Sequence, residues 1–238
     1  MTSNKIVSHQ EWVAARKEFL AQEKAFSRMR DELSAARRQL PWERVEKEYV
    51  FDGPGGKASL ADLFDGRSQL IVYHFMFGPD WPEGCPSCSM LADHYAPAGI
   101  HLAQRDVSMV TISRSPLERI EAFRERMGWD FLWLSSLGND FNHDFGVSFA
   151  QEELASQSVY YNYETCSFPS EEGPGISVFA KDDEGALYHT YSAYARGLDL
   201  FLGIYNLLDI APKGRGEDSL AFPMAWVRHH DRYGEGPK

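Results

Sequence analysis

The N-terminal part of the chain alternates apolar and charged residues at helical intervals. Apolar side chains recur three or four positions apart over residues 12–40, and Pro41 ends the pattern. Ser8 and Glu11 have the spacing of a capping box, which satisfies free backbone N–H groups at a helix start. Residues 1–42 are therefore predicted to form a helical arm, as one long helix or two shorter ones. Because its apolar face is sparse, we expect the arm to dock on the domain body or on a second subunit, as in a homodimer.

Beyond the arm, short apolar runs alternate with helical patterns over residues 43–211. Gln69–Phe77 is an almost unbroken run of β-branched and aromatic residues, typical of a central strand buried on both faces. Val107–Ser113 is a second such strand, and Ser115 and Pro116 have the order of a helix cap and a first helical residue. The other predicted elements are strands at 44–51 and 131–134, helices at 59–64, 87–95, 117–127, 139–147 and 198–208, and a hairpin at 176–190. This order predicts an α/β fold with a central mixed β-sheet flanked by helices.

Two further segments have no clear period. Residues 150–173 are polar and aromatic, and are expected to form an insertion or long loop. Residues 212–238 are rich in Gly and Pro and are expected to be a C-terminal tail without regular structure. The expected anchors of this tail are Phe222, Trp226 and Tyr233. His229 and His230 near its end are expected to be solvated.

Charge and hydropathy narrow the class of protein. The chain has 24 basic and 35 acidic residues among 238, a formal net charge of −11. This acidity disfavours nucleic acid and anionic membranes as partners, because phosphate binding needs clustered Lys and Arg. The N-terminus lacks the apolar stretch of a signal peptide, and no run approaches the roughly 18 apolar residues that a membrane helix needs. We therefore expect a cytoplasmic protein, in which a close cysteine pair is more often catalytic or metal-binding than structural.

The sequence Cys85-Pro86-Ser87-Cys88 lies between a predicted buried strand and a predicted helix. A thiol at a helix N-terminus sits among unpaired N–H groups at the positive end of the dipole, so its thiolate is stabilised. Pro86 fits the first turn because the N–H that it lacks would have no helical partner. Cys88 lies on the same side of the helix and can close a disulfide. Cys85 is thus the predicted attacking thiol and Cys88 the resolving thiol.

Two other interpretations of the cysteine pair remain open. A CxxC sequence is also half of a zinc site, but a closed site needs four ligands, and no second CxxC or HxxxH is present. The remaining candidate ligands, which are Cys166, His94 and His143, are scattered along the chain. Free cysteines are also often inert core residues. The strand–CxxC–helix context favours redox use, with no bound metal or other cofactor.

This arrangement resembles the thioredoxin superfamily. In that fold a cis-proline precedes a strand and packs against the disulfide, and Pro174 stands at the same offset before Phe179. The resemblance implies a thioredoxin-like fold, in which Pro174 shapes the substrate groove. It also implies a thiol or disulfide substrate and an external thiol reductant of the thioredoxin or glutathione type.

The segment 57–147 is similar to the peroxiredoxin branch of that superfamily. A closer resemblance is to a bacterial family of unknown function described as predicted dithiol–disulfide oxidoreductases. The segments that carry this closer resemblance are Tyr73–Gly78, Gly84–Ser89, His189–Gly197 and Tyr205–Arg215. It covers most of residues 8–220 and implies the fold and the redox activity, but no particular substrate.

Some positions depart from the patterns of these relatives. Gly84 stands where thioredoxin has a Trp. Trp81 could cover the disulfide instead and belong to the substrate groove, and structural packing is an equally open role for it. Pro82 replaces the Thr that helps peroxiredoxins to hold the peroxide, which weakens a peroxidase interpretation. A thiol peroxidase that forms a sulfenic acid on Cys85 is still one alternative. A non-catalytic module that binds a metal or ligand is the other.

A polar and aromatic cluster at the end of the predicted hairpin consists of His189, Tyr191, Tyr194 and Arg196. Arg196, with Tyr191 and Tyr194, could bind an anionic or carbonyl-bearing substrate near the cysteines. The simpler interpretation is that Arg196 pairs with one of the many acidic residues, and we favour it. His74 on the central strand is predicted to be a hydrogen-bonded core histidine, and Cys166 to be a spare thiol.

Overall fold

The computed structural model describes residues 4–234, which divide after Pro41 into two compact units. The first unit contains one continuous helix, α1 (His9–Arg37), rather than two shorter ones. The predicted capping box is present, since the Glu11 N–H donates to Ser8 Oγ at 3.3 Å and the Ser8 N–H donates to Glu11 Oε2 at 3.0 Å. No residue of α1 is buried.

The second unit is built on a mixed sheet. Its strands are β1 (Glu43–Arg44), β2 (Val50–Gly53), β3 (Gly56–Ser59), β4 (Gln69–His74), β5 (Val107–Ser113), β6 (Trp133–Ser135), β7 (Val159–Tyr161), β8 (Glu164–Cys166), β9 (Gly175–Lys181) and β10 (Leu187–Tyr194). Its helices are α2 (Pro86–Tyr95), α3 (Gly99–Ala103), α4 (Leu117–Arg126), α5 (Phe141–Asp144), α6 (Gln151–Ala155) and α7 (Gly203–Ile210). Within the described range, eight strands form one sheet in the order β1-β10-β9-β4-β5-β6-β2-β3.

The centre of this sheet has the topology expected from the sequence. Strands β4, β5 and β6 are parallel, and α2 and α3 lie in the connection from β4 to β5. Strand β9 pairs antiparallel with the other side of β4, β10 pairs antiparallel with β9, and α7 follows. A parallel βαβ unit completed by an antiparallel hairpin and a helix is a thioredoxin-like fold. None of the described helices combines the length and the apolar character needed to cross a membrane.

Strand β4 is central because both of its faces are apolar. Tyr73 belongs to the core cluster shared with α2 and α4, whereas Leu70 and Val72 belong to the cluster shared with α5. Successive side chains of a strand point to opposite faces, so an unbroken apolar run supplies both layers. The predicted buried strand is confirmed, and its C-terminal end leads directly into the cysteine segment.

The strand predicted at 44–51 is wrong as a single element. It divides into β1, which pairs with β10, and β2, which pairs with β3 and β6 near the opposite end of the sheet. The alternating side chains Tyr49 and Phe51 are nevertheless buried in the core cluster of α5. The alternation of apolar residues therefore correctly predicted which side chains are buried. The residues between the two strands cross from one edge of the sheet towards the other.

Two predicted helix boundaries also differ. Helix α4 is preceded by Pro116 without a side-chain cap, and the hydroxyl of Ser115 is buried with no hydrogen-bond partner within residues 4–234. The helix predicted at 198–208 is a 3₁₀ segment over Ala195–Phe201 followed by α7. The break falls at Leu202, whose ψ of 84° is not helical.

The insertion at 150–173 is more ordered than the sequence indicated. It contains α6 and the β7–β8 hairpin, and Phe149, Val159 and Tyr161 pack with Tyr194 in a separate small core. Tyr161 and Phe168 of the insertion thus belong to a core of their own, which explains why they show no period with the main sheet.

Candidate active site

The cysteine segment connects the end of β4 to α2. The Cys85 N–H donates to the carbonyl oxygen of Met76 at 3.0 Å, and α2 begins at Pro86. The side chain of Cys85 is half-buried, whereas Cys88 is only 3 % exposed, and neither is in a disulfide. The predicted placement of Cys85 immediately before a helix, with Cys88 in its first turn, is therefore present.

Gly84 has a steric reason to differ from the Trp of thioredoxins. A Cβ atom at this position would lie 2.6 Å from Cε1 of Phe75 and 2.9 Å from Cε1 of Phe123. Real Cβ atoms do not approach other heavy atoms so closely, so no larger residue fits before Cys85 without a shift of this aromatic core.

The two thiols have opposite pKa shifts. The Cys88 side chain hydrogen-bonds to Cys85 and is the main cause that lowers the pKa of Cys85 to about 7, assisted by the N–H groups of Cys88 and Ser87. Burial raises the pKa of Cys88 well above its ordinary value, and the hydrogen bond to Cys85 raises it further. The pair is thus arranged as an accessible thiolate beside a buried thiol, which can chemically attack and then resolve a disulfide.

Cys85 and Cys88 line a cavity of about 960 Å³. Pro174 and Arg196 line it as well, so the structure brings together four of the five site residues predicted from the sequence. Trp81 is not part of this lining. Its indole N–H instead donates to Glu171 Oε1 at 2.7 Å, which connects the cysteine segment to the insertion.

Pro174 precedes β9 as expected, but no cis peptide bond occurs within residues 4–234. The cis-proline that the thioredoxin resemblance implies is therefore absent, and the Gly173–Pro174 bond is trans. Hydrogen bonds hold the backbone on both sides of the Gly173–Pro174 bond. The Gly173 N–H donates to the carbonyl oxygen of Val147 at 2.8 Å, and the Tyr161 hydroxyl donates to the carbonyl oxygen of Pro174 at 2.7 Å.

The cluster after the hairpin does not form one site. Arg196 has a side chain that is 87 % exposed and donates to Asp199 at 2.9 Å, which is the favoured acidic pairing. Tyr194 is buried, and its hydroxyl donates to the carbonyl oxygen of Phe145 at 2.9 Å. Arg196 therefore reaches the cysteine cavity, whereas Tyr194 has a structural role.

The C-terminal tail, residues 212–234 of the described chain, contributes a histidine that sequence reasoning missed. His229 is 4 % exposed, so the expectation that it is solvated is wrong. Its Nδ1 lies 3.0 Å from an Arg126 nitrogen and its Nε2 lies 2.8 Å from the carbonyl oxygen of Gly84. Because arginine can only donate, Nδ1 accepts, and Nε2 carries the proton that it donates to Gly84. The tail thus holds the residue immediately before Cys85.

Ion pairs around Glu83 strengthen the same attachment. Arg126 donates to Glu83 at 2.7 Å and to Asp231 at 2.9 Å, and Arg232 donates to Glu83 at 2.8 Å. The only signal in the sequence was the run of four charged or titratable residues from His229 to Arg232. Such a run usually indicates a solvated segment, and nothing in it shows that its partners lie more than 100 residues away.

The remaining candidate residues lie away from the cysteine pair. His74 is a buried core histidine as predicted, since its Nε2 shares a 2.8 Å hydrogen bond with Ser177 Oγ and burial lowers its pKa to about 3. Cys166 ends β8, packs in the core of the insertion and does not line the cavity. In the described part of the chain, no three His, Cys, Asp or Glu side chains are grouped to hold a metal ion.

Fold and site together define a thioredoxin-fold protein with a paired dithiol centre in a large cavity. The chain belongs to the family described as bacterial protein of unknown function (DUF899), whose model matches residues 1–233. This confirms the resemblance to a bacterial family of unknown function.

Several solved structures are similar to the chain. Peroxidoxin BcpB from Mycobacterium tuberculosis is 15 % identical, with 69 % of this chain and 94 % of that chain covered and a TM-score of 0.47. Peroxiredoxin Q from Xanthomonas campestris is 13 % identical, with coverages of 69 % and 95 % and a TM-score of 0.47. A Chlorobium tepidum protein described as thiol:disulfide interchange protein DsbE is 12 % identical, with coverages of 64 % and 86 % and a TM-score of 0.39. No curated protein matches the chain.

Proposed function

We propose that this protein is a thiol–disulfide oxidoreductase in which Cys85 attacks and Cys88 resolves. The observation that carries the proposal is the geometry of the pair: Cys85 stands immediately before α2, Cys88 is buried in the first turn of α2, and both line one cavity. Cys85 has its pKa lowered to about 7 and lines a cavity, whereas burial raises the pKa of Cys88. A nucleophile must be a thiolate at working pH, and a resolving thiol is best kept protonated until the first step is complete.

The reaction takes place in two exchanges. The Cys85 thiolate attacks one sulfur of a substrate disulfide, the substrate S–S bond breaks, and the departing thiolate takes a proton from water. Cys88 then loses its proton and attacks the Cys85 sulfur of the mixed disulfide, and the second substrate thiolate leaves with that proton. Two electrons pass to the substrate, and the protein is left with a Cys85–Cys88 disulfide.

A second set of thiols must complete the cycle. We propose that an external thiol reductant of the cytoplasm, of the thioredoxin or glutathione type, returns the pair to its dithiol form. Residues of this chain supply the nucleophile, the resolving thiol and the walls of the cavity. The proposed cycle needs no bound metal or organic cofactor.

A redox titration tests the proposal directly. Thiol labelling across a glutathione or dithiothreitol series should give one reversible two-electron transition in the unmodified protein, lost in Cys88→Ala. Cys166→Ala is the matched control and should keep the transition, because Cys166 does not line the cavity. If Cys85 and Cys88 never form a disulfide with each other, the proposal is wrong. Rapid oxidation of Cys85 by peroxide with slow disulfide exchange would instead identify a thiol peroxidase.

The pH dependence of Cys85 alkylation gives a second test. The rate should rise with pH and reach half its maximum at about pH 7, where the Cys85 thiolate forms. In Cys88→Ala the main cause of the lowered pKa is gone, so the half-maximum should move to higher pH. The rate at pH 7 should then fall about tenfold, since an ordinary thiol has a pKa of about 8.5. An unchanged profile in Cys88→Ala would contradict the assigned roles.

A further inference from the structure

The C-terminal tail forms part of the wall of the cysteine cavity. One side of the 960 Å³ cavity carries Cys85 and Cys88 with neighbouring residues of β4 and α2. The lining from the C-terminal tail consists of residues 213–218 together with Pro223 and Met224. The cysteine pair and the distant C-terminal tail therefore line one and the same cavity.

That wall is fixed by strong side-chain contacts. Arg215 donates twice to Asp209, at 2.7 and 2.8 Å, donates to Asp199 at 3.2 Å, and lies 3.8 Å above the ring of Tyr205. A bidentate Arg–carboxylate pair stacked on an aromatic ring fixes position and direction together. The segment is thus held against α7.

A second set of contacts converges on one carboxylate. Glu217 Oε1 accepts hydrogen bonds from the Tyr205 hydroxyl at 2.8 Å, the Met224 N–H at 2.9 Å and the Trp226 indole at 2.7 Å. One carboxylate oxygen therefore ties α7 to two positions of the tail. These contacts already hold the tail in place, so the cavity is preformed.

The lining differs between the two sides. Around the sulfurs it is apolar and aromatic, with Tyr73, Met76 and Leu91, whereas the charged residues come from positions 196–218. Preformed cavities of about 300–1,000 Å³ that are apolar with a few polar groups are typical of small-molecule sites. A disulfide that reaches Cys85 through this cavity contacts both the cysteine side and the tail side, and the volume of about 960 Å³ matches that of a small-molecule site.

We propose that the substrate is a low-molecular-weight disulfide rather than the disulfide of a folded protein. This inference rests on the proposed thiol–disulfide function. One molecule of small disulfide and the reduced protein give two molecules of small thiol and the Cys85–Cys88 disulfide. The external thiol reductant supplies the two electrons and two protons that return the protein to its starting state. The tail makes the cavity selective by size.

Stopped-flow oxidation of the reduced full-length protein tests this inference. The probes are glutathione disulfide, cystine and bis(2-hydroxyethyl) disulfide as small disulfides, and insulin as a folded protein disulfide. We expect the second-order rate constants of the small disulfides to exceed that of insulin by about tenfold or more, because the small disulfides match the size of the cavity. The ratio of these constants measures the specificity.

A matched pair of tail variants assigns the selectivity to the cavity. Met224→Trp places a larger side chain in the lining, whereas Phe222→Trp changes an exposed tail residue that does not line it. Met224→Trp should lower the rate constants for oxidation by the small disulfides about tenfold, and Phe222→Trp should leave these rate constants unchanged. Alkylation by iodoacetamide should be unchanged in both, which shows that the protein is folded and that Cys85 is still reactive.

The outcomes separate the two proposals. If insulin reacts as fast as the small disulfides, or if the two tail variants behave alike, the inference about substrate size is overturned and the oxidoreductase function stands. If no disulfide of either kind oxidises the protein and no Cys85–Cys88 disulfide forms, the proposed function itself fails.

Discussion

Helix α1 and the C-terminal tail are opposites in regularity and in burial. Helix α1 is 29 residues long, has its capping box in place, and contains no buried residue. Among the described residues of the tail, 212–234, the regular structure is a short 3₁₀ turn at His230–Arg232, yet Val227 and His229 of the tail are buried. The regular segment is thus the one without a core, and the irregular segment is the one that holds the candidate site.

The difference shows that two kinds of interaction are at work. The hydrogen bonds and side-chain contacts of a helix join residues three or four positions apart, so the regularity of α1 follows from its local sequence. The tail is held by pairs between distant residues, such as His229 with Gly84 and Asp231 with Arg126. Regularity is therefore a local property, whereas burial depends on complementary groups far away in the chain.

The largest effect should come from His229→Ala. The substitution leaves the carbonyl oxygen of Gly84 without its donor and opens a cavity beside Phe123, so unfolding free energy should fall by about 2–4 kcal/mol. Urea unfolding measures this loss. His229→Gln keeps a side-chain N–H donor and should recover part of it.

The neighbouring histidine is the control for this prediction. His230 is exposed and contacts Asp93 Oδ1 at 2.7 Å. Because an exposed hydrogen bond contributes little, His230→Ala should cost less than about 1 kcal/mol. Equal losses in the two alanine variants would show that the tail is no better anchored at His229 than at its solvated positions.

A smaller effect is expected from the arginines that share Asp199. Arg215→Ala removes a bidentate pair and a ring contact from the tail, and should lower the unfolding free energy by about 1–2 kcal/mol. Arg196→Ala removes an exposed single pair and should cost less than about 0.5 kcal/mol. If Arg196→Ala is the more destabilising, the tail wall does not depend on the Arg215 contacts.

The sequence predicted well those parts of the fold that depend on local patterns. The bounds of β5 match the predicted strand, β4 matches most of its own, and the helix after the cysteines begins within a residue of its predicted start. The CxxC position before that helix followed from strand, turn and helix signals alone. These features need only neighbours in the sequence, which is why periodicity and turn chemistry were sufficient.

Features that depend on distant pairing were not predictable in the same way. His229 was expected to be solvated, and the sequence could not show otherwise. Its partner is the backbone carbonyl oxygen of Gly84, which has no recognisable sequence pattern. The insertion was expected to be a loop because its apolar residues show no clear period. The structure shows that Tyr161 and Phe168 pack in a separate small core. Trp81 had two equally open roles, covering the disulfide or structural packing, and the sequence did not show that Glu171 of the insertion binds its indole. In each case the deciding group lies in another segment of the chain.

The smallest effect is expected in α1. Phe26 is 63 % exposed, so Phe26→Ser should change the unfolding free energy by no more than about 0.5 kcal/mol at low protein concentration.

The apolar face of α1 leads us to expect a homodimer. Light scattering should then give a dimer mass for the unmodified protein and a monomer mass for Phe26→Glu. Glu18→Lys, on a charged position of the same helix, is the control and should leave the mass unchanged. A monomer mass for the unmodified protein would rule out the dimer and leave docking on the domain body as the expected role of the arm.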